Sequence, residues 1–510
     1  MKISLFRAYT PAQTRVWWAL LLLLTVRLLS LGLYPLMDNT EARYAEIARV
    51  MLSLGDWVTP WYEAGVPFWG KPPLSFWSTA ISFFIGGVNE FSARLPHFLA
   101  ALGLGWFVWG WARQQSKQEA LAALALLAGC TLTMIAAGAV MTDMTLVLGT
   151  TLVMRGFWQA LHGPQSRRNH EAALFFLGLV IGLLAKGPLA LVLAGLPLGL
   201  WTLLNRQWRP VWLNLPWWRG SLLVLLLVLP WYGMAEFRTP GFLNYFLVGE
   251  HWHRFVTPGW SGDRYGGAHS APWGSIWAYA WFATLPWSLL LPLAWWRWRK
   301  AKAQSIALQE SAALAAPDHQ PLQNYLLLWS LAPALFFTFA GNILWTYVLP
   351  AIPPLALMGA AWLSRSYDND RVNLWLTRGL AASALLLAGL VLTLNLKSFD
   401  DFQTTKLLVA DFNHLNTRSS ALLFYPVRPY SASFYTQGQA KSVAQPSEVW
   451  DRMAWPQTFL AVKASEEASL PAEVRAQLHF LLKRGDYKLF EMGNNLVPGA
   501  TAARLQGVAP

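Results

Sequence analysis

The chain has 510 residues, of which 55% are hydrophobic and only 13% charged, and it carries 31 Trp and 27 Phe. A water-soluble globule of this length needs far more polar surface, so the composition excludes one. The formal net charge of +13 sits in short loops between apolar runs, which excludes a nucleic-acid surface and follows the positive-inside pattern of membrane proteins.

The apolar runs match the roughly 20 residues of helix that cross a bilayer core. Eleven spans are expected, near 16–36, 92–111, 119–138, 143–161, 172–186, 188–204, 220–236, 273–293, 323–341, 347–363 and 376–396. Lys2, Arg7 and Arg15 precede the first run. That run is long for a signal-peptide core and lacks a small-residue cleavage site, so it reads as an uncleaved helix with a cytoplasmic N-terminus. The loops "ARQQSK", "HGPQSRRNHE", "NRQWRPVWLNLPWWRG", "WWRWRKAKAQ" and "SRSYDNDRVNLWLTR" are rich in Lys and Arg and are assigned to the cytoplasm. Loops 37–91, 139–143, the turn at Lys186, 237–272 and 342–346 then face the other side. Making 66–87 a further span would invert every later loop, so it is expected to lie at the interface or to re-enter. The single cysteine, Cys130, allows no disulfide within the chain.

After about residue 397 the composition becomes that of a soluble protein. "ALLFYP" and "TFLAVKA" read as strands, and "LPAEVRAQLHFLLKRG" as an amphipathic helix. The expected architecture is an all-α polytopic membrane protein of about 11–13 spans over residues 1–397, with a C-terminal α/β soluble domain over 398–510. An odd span count puts that domain outside the cytoplasm.

Charge is concentrated in "MDNTEARYAEIARVMLSLGDW" (37–57), just beyond the first span. Within 43–54, Tyr44, Ile47, Ala48, Met51 and Leu54 share one helical face, Glu46, Arg49 and Ser53 the other, and Gly55 stops the helix. This segment is expected to lie flat on the membrane, capped by Asp38, Asn39 or Thr40. Asp38 therefore has two readings: a cap, or a carboxylate held at the bilayer surface for chemistry. Arg27, inside the first span, either faces the bundle interior or snorkels to the surface.

The stretch "DNTEARYAEIARVMLSLGDWVTPWYEAGVPFWGKPPLSFWSTAISFFIGGVNEFSARLP" resembles the first outer loop of the GT-C lipid-linked glycosyltransferases. It is most similar to the lipid A aminoarabinose transferase branch, which is related to the protein mannosyltransferases. The similarity continues in order through "MTDMTLV" (141–147), "LLAKGPLALVL" (183–193), "FLVGEHWHRFVTPGWSGDRYGGAH" (246–269) and "LWTYVLPAIPPLAL" (344–357). The resemblance implies transfer of a sugar, such as 4-amino-4-deoxy-L-arabinose, from a polyprenyl (undecaprenyl) phosphate. The implied acceptor is lipid A or another part of lipopolysaccharide, at the periplasmic face of a bacterial inner membrane. A protein acceptor is the alternative within the class.

Breaking the glycosidic bond puts negative charge on the leaving phosphate, which Lys and Arg stabilise. The resemblance assigns that task to Lys71 in "GKPP", Lys186 in "AKGP", Arg254 in "HWHRF" and Tyr347 in "LWTYV". Lys71, Lys186 and Arg254 can also each be read as snorkelling to headgroups. A hydroxyl acceptor needs a carboxylate to take its proton, and an acceptor phosphate needs one only for orientation. Asp38 and Asp143 match the family's acidic positions, with a helix cap as the plain reading of Asp143 and Thr142 its rival. Glu250, His251, His253, Asp263 and His269 are metal ligands in kind, but HWH is not a zinc spacing. The aminoarabinose branch carries an acidic residue before the loop-one lysine, where this chain has Gly70. Gly70 counts against a metal here, so the loop is expected to fold over the donor; a divalent metal is the one cofactor to consider, with His251, His253 and His269 as its candidate ligands. The rival from another class is a lipid-sugar flippase, which needs charges or broken helices along a path through the membrane.

Overall fold

The computed structural model describes residues 9–38, 40–63, 65–266, 269–309, 320–396, 403–415, 420–453 and 458–492. Lys2, Arg7 and Asn39 lie outside them. The chain opens with α1 (Pro11–Ser30), closed at its start by a capping box between Thr10 and Gln13. The first outer loop then folds as α2 (Glu41–Leu54), a small hairpin β1 (Trp61–Glu63) and β2 (Val66–Pro67), and α3 (Leu74–Gly86). The bundle continues with α4 (Glu90–Ala112), α5 (Lys117–Gly129), α6 (Thr131–Ala136), α7 (Asp143–His162), α8 (Arg168–Lys186), α9 (Leu189–Leu204), α10 (Trp208–Asn214) and α11 (Trp217–Arg238). A second outer loop contains a π-helical segment (Asn244–His253) and the short α12 (Arg254–Val256). The bundle closes with α13 (Ser275–Ala283), α14 (Leu291–Gln309), α15 (Gln320–Thr338), a 3-10 segment (Trp345–Ala351), α16 (Ile352–Ser366) and α17 (Asn369–Leu396).

All eleven expected spans fall on helices. Six of the described helices are long and apolar enough to cross a membrane by themselves, or seven if the 105° bent pair around Thr284–Pro286 is one span. The span expected at 119–138 is broken at Cys130 into α5 and α6.

Two features fix the outer end of the bundle. The first is the α7–α8 contact. A Cβ on Gly149 would lie 2.8 Å from the Gly182 nitrogen, and one on Gly178 would lie 2.6 Å from the Gly149 oxygen. Only glycine lets these backbones touch. The antiparallel pair thus brings the first residue of α7, Asp143, beside the last residue of α8, Lys186. The second is Arg94 on α4, which is fully buried. It donates to the carbonyls of Leu31, Tyr34 and Pro35, each at 2.8 Å, and to both oxygens of Glu41 at 3.0 and 2.9 Å. One guanidinium therefore sets the path of the chain from the end of α1 to the start of α2.

The structure corrects the flat-on-the-membrane expectation for α2. Tyr44, Ile47, Ala48 and Met51 are buried against Phe68, Phe76, Tyr265 and Phe434, not against lipid. The hairpin and α3 turn back over this face, with the Tyr44 and Phe76 rings 5.4 Å apart and edge to face. Leu54 alone of the expected face is exposed. Arg27 faces the interior, donating to Ser30 Oγ (3.1 Å), the Tyr34 hydroxyl (3.1 Å) and the Ile135 carbonyl (3.2 Å).

The C-terminal region forms α18 (Lys406–Leu415), β3 (Ala421–Tyr425), α19 (Tyr430–Tyr435), β4 (Lys441–Ser442), α20 (Pro446–Met453), β5 (Thr458–Lys463), α21 (Ala472–Ala476), β6 (Leu478–Arg484) and β7 (Tyr487–Met492). The sheet order is β4-β3-β5-β7-β6, with β3 parallel to β4 and β5, and β7 antiparallel to β5 and β6. The helix expected over "LPAEVRAQLHFLLKRG" ends after one turn and continues as β6. The reason is the Gly485–Asp486 turn, with Gly485 at φ 54°, which pairs Arg484 with Tyr487 in a hairpin.

Burial would raise the Glu41 carboxyl, but the Arg94 charge and hydrogen bonds outweigh it and hold it below its ordinary 4.5. The stabilisation from this pair is complete above that value and is lost as pH falls through the depressed one. Arg94→Ala should cost about 3–5 kcal/mol, because it strands a buried carboxylate and three carbonyls. Thermal unfolding in detergent should show this loss at neutral pH and a smaller difference from the parent in acid.

Candidate active site

A cavity of about 580 Å³ lies where the outer end of the bundle meets the two outer loops. Asp143, Lys186 and Tyr347 reach it from the bundle, and Lys71, Glu250, Arg254, Asp263 and His269 from the loops. Glu41 and Arg43, in the first turn of α2, form a third wall. Leu189, Val192, Phe255, Phe336 and Phe337 give it an apolar side.

Lys71, Lys186 and Arg254 are each held by a carboxylate, Lys71 and Lys186 by one from a distant segment. Lys186 Nζ lies 2.8 Å from Asp143 Oδ1, with both side chains largely buried, and 5.1 Å from the centre of the Tyr347 ring. Gly187, at φ 69°, makes the turn that follows, and a Cβ there would meet the Phe246 ring at 2.6 Å. Lys71 Nζ donates to Glu250 Oε2 at 3.0 Å. Arg254 reaches Glu250 at 3.1 Å and Asp263 at 3.2 Å. The Tyr245 hydroxyl adds a bond to Glu250 Oε1 at 3.2 Å. Burial alone would raise the Glu250 carboxyl, but the Lys71 and Arg254 charges outweigh it and hold it below its ordinary value.

The structure therefore brings together Asp143, Lys71, Lys186, Arg254 and Tyr347. It does not bring Asp38 with them. Asp38 Oδ1 accepts from the Ser431 backbone at 2.7 Å and Oδ2 from the Ser431 hydroxyl at 2.6 Å. Its backbone N–H donates to the Gln403 carbonyl at 2.7 Å. Asp38 is also not the cap of α2: Thr40 stands at that position and makes no side-chain capping bond. Asp38 is a latch between the first membrane exit and the C-terminal domain. Lys406–Glu90 (2.6 Å) and Arg428–Glu63 (2.7 Å) reinforce the same contact. The acid that α2 does turn to the cavity is Glu41. A helix start at Thr40 would have pointed to it, since Glu41 then falls in the first turn.

The histidines do not assemble a metal site. His251 directs Nδ1 to the Phe246 carbonyl (2.7 Å) and Nε2 to the Lys186 carbonyl (3.2 Å). His253 is exposed and stacks on Trp260. Glu250 is committed to Lys71, Arg254 and Tyr245, and Gly70 supplies no ligand. Among the described residues no group of three His, Cys, Asp or Glu side chains could hold a metal ion.

A helical membrane bundle with a charged outer cavity and an appended sheet domain defines a class, and comparison with known proteins agrees. The model for dolichyl-phosphate-mannose-protein mannosyltransferase matches residues 14–246. ArnT from Cupriavidus metallidurans, solved bound to undecaprenyl phosphate, superposes with a TM-score of 0.74 at 20% identity, covering 93% of this chain and 97% of its own. An oligosaccharyltransferase from Archaeoglobus fulgidus shares the fold more distantly, with a TM-score of 0.52 at 11% identity, covering 91% of this chain and 71% of its own. The undecaprenyl phosphate-alpha-4-amino-4-deoxy-L-arabinose arabinosyl transferase of Pseudomonas paraeruginosa is 30% identical over 507 residues, covering 94% of this chain and 86% of the relative. The chain belongs to that arabinosyl transferase family. Relatives of the same name from Shewanella sediminis and an Enterobacter species are 30% and 31% identical over 67% and 72% of this chain. Those alignments span 58% and 63% of the relatives' own lengths.

Burial pushes the Asp38 carboxyl above its ordinary value, against the pull of its Ser431 bonds. The latch is therefore held best when protonated, and its contribution declines as pH rises through the raised folded-state value. Asp38→Asn should keep the Ser431 contact, stay near parental stability at neutral pH and retain most transfer activity. Asp38→Ala should lose about 1–3 kcal/mol in thermal unfolding. A well-folded Asp38→Asn protein with no transfer would return this aspartate to the reacting groups.

Proposed function

We propose that the protein moves 4-amino-4-deoxy-L-arabinose from undecaprenyl phosphate to lipid A, at the periplasmic face of the inner membrane. The observation that carries this reading is the convergence of Lys71, Lys186 and Arg254 with Tyr347, the cations held by Asp143 and Glu250, in a cavity with an apolar side. Family membership supports the sugar, the donor and the acceptor.

The donor has a phosphate at the membrane surface and a long lipid tail. Its phosphate meets Lys71, Lys186, Arg254 and the Tyr347 hydroxyl, while Leu189, Val192 and Phe337 face the start of the tail. As the bond from the anomeric carbon to the donor phosphate breaks, the electron pair leaves with the polyprenyl phosphate. The three cations are already positioned for that charge, so little reorganisation is required. Asp143, beside Lys186, faces the sugar, where a carboxylate balances the positive charge that develops on the ring. An acceptor on the same side forms the new bond to the anomeric carbon. The test is transfer by purified protein in lipid nanodiscs, from undecaprenyl phosphate-linked aminoarabinose to lipid A, read by mass spectrometry. Transfer to a peptide hydroxyl and not to lipid A would favour the protein acceptor instead.

The Lys186–Asp143 pair is buried, so Lys186→Ala should weaken folding as well as donor use, by about 3–5 kcal/mol, because Asp143 is left without its partner. The double change Lys186→Met with Asp143→Asn should recover thermal stability and still transfer little sugar. Recovery of transfer in the double variant would make the pair purely structural.

The basic loops on the opposite side support a cytoplasmic N-terminus and a periplasmic C-terminal domain. A reporter active only in the cytoplasm, fused after Gly438, should be silent. A bright signal would overturn the orientation and the periplasmic site with it.

A further inference from the structure

A second cavity, of about 530 Å³, lies at the end of the bundle away from the active-site cavity. α16 starts beside Tyr347 and ends at Ser366, so α17 starts at that far end. α1, which runs toward the first outer loop, starts there too, and the two helices pack along each other. Arg15 of α1 lines the cavity, with Asp370, Arg371, Leu374 and Trp375 from the first two turns of α17.

A chain of side-chain amides holds the two helix starts in register. Gln13 Nε2 donates to Gln118 Oε1 at 3.0 Å, and Gln118 Nε2 donates to Asn373 Oδ1 at 2.9 Å. Gln118 and Asn373 are buried. Arg15 follows Gln13 closely and Arg371 closely precedes Asn373, so the backbone that carries each guanidinium is fixed. Trp375 is held edge to face by Tyr367, with ring centres 4.7 Å apart. The three charges, by contrast, are exposed. Among the described residues no ion pair joins Arg15, Arg371 or Asp370 to another side chain. Asp370 is not needed as a cap, because Asp368 Oδ1 accepts the Arg371 backbone N–H at 2.8 Å.

Cations at a helix end commonly snorkel to headgroups. That accounts for the arginines and not for the acid, which the negative surface of a membrane repels. Two arginines beside one carboxylate complement a zwitterion. A guanidinium binds phosphate oxygens with two N–H groups of its fork, and a carboxylate accepts the N–H groups of a primary ammonium. A phosphate and an ammonium one ethylene unit apart form the headgroup of phosphatidylethanolamine. Trp18 and Leu22 are exposed on the same face of α1 as Arg15. With Leu374 they offer an apolar track for the acyl chains.

We infer that this cavity binds the phosphoethanolamine headgroup of a membrane phospholipid, with its phosphate on Arg15 and Arg371 and its ammonium on Asp370. The lipid clamps the start of α1 to the start of α17, the helices that lead to the first outer loop and to the C-terminal domain. It is a structural ligand, and no bond in it is made or broken.

The experiment is native mass spectrometry of the purified full chain in detergent, titrated with phosphatidylethanolamine, phosphatidylcholine or phosphatidylglycerol. Wild type should bind phosphatidylethanolamine about tenfold tighter than phosphatidylcholine, whose quaternary ammonium has no N–H for Asp370. Asp370→Asn should erase that preference and leave phosphatidylglycerol binding at least as tight. Arg15→Gln and Arg371→Gln should each weaken binding of all three lipids about tenfold. Arg299→Gln with Lys300→Gln removes two cations of α14 at the same end but outside the cavity, and should change nothing. Equal loss in that control would reduce the site to general attraction by a basic surface and overturn the assignment. Equal wild-type affinity for phosphatidylethanolamine and phosphatidylcholine, or tighter binding of phosphatidylglycerol, overturns it as well, and that comparison needs no variant to fold. Phosphatidylethanolamine should also raise the unfolding temperature of wild type more than that of Arg371→Gln, and an equal rise removes the clamp. No readout depends on sugar transfer or on which compartment this end faces, so a negative result leaves the transfer reading as it stands.

Discussion

A cluster of cations beside an apolar phase is costly unless each has a counter-ion. The outer cavity is built around that constraint. Glu250 is the clearest case, because one buried carboxylate receives Lys71 from the first outer loop, and Arg254 and Tyr245 from the second. Those segments are far apart in sequence, and the carboxylate ties them into one wall. Lys186 is held by Asp143 in the same way. On the transfer reading, a donor phosphate competes for cations that are already oriented. The counter-ions thus keep the site assembled between turnovers and lower the ordering needed when substrate enters.

The scaffold serves the same end. The glycine contact between α7 and α8 sets Asp143 and Lys186 at one level, and Arg94 fixes where α2 begins. At the other end of the α7–α8 pair, Arg155 and Glu171 close on each other at 2.9 Å. The Arg155 guanidinium also donates to the Phe107 carbonyl at 3.0 Å. That is a closed structural pair, not a step on a polar path across the bundle. The arrangement of charge therefore favours a transferase with one working face over a carrier that passes its cargo through the membrane.

Much of this was legible in the sequence. Apolar runs of helical length gave the spans, and cations in short motifs at one interface pointed to Lys71, Lys186 and Arg254. What the sequence could not display were partners from distant segments. The amphipathic pattern of α2 is real, but a pattern says only that a face is buried, not whether lipid or Phe68 and Phe76 bury it. Likewise Glu250 and Asp263 have the chemistry of ligands, and only the fold reveals that Arg254 lies between them. Asp38 was misplaced for a related reason. Its position in the motif suggested the cavity, while the residue that engages it, Ser431, is 393 positions away. The strand at 478–484 was read as helix because its apolar content fits both periods, and the Gly485–Asp486 turn was the overlooked arbiter.

The charge at the first membrane exit now has a physical account. Three of the acids in 37–57 each face a different part of the molecule. Asp38 takes Ser431 of the C-terminal domain, Glu41 takes Arg94 of the bundle, and Asp56 takes Arg238 at the end of α11. Glu46 and Arg49 pair with each other at 2.7 Å, where α19 packs on α2 and a Cβ on Gly438 would meet the Arg49 guanidinium. The stretch is a junction that joins bundle, second loop and C-terminal domain through bonds that work only in their correct pairings. Arg43 is the exception among these residues, the one cation in the stretch for which the protein, among its described residues, provides aromatic faces and no acid.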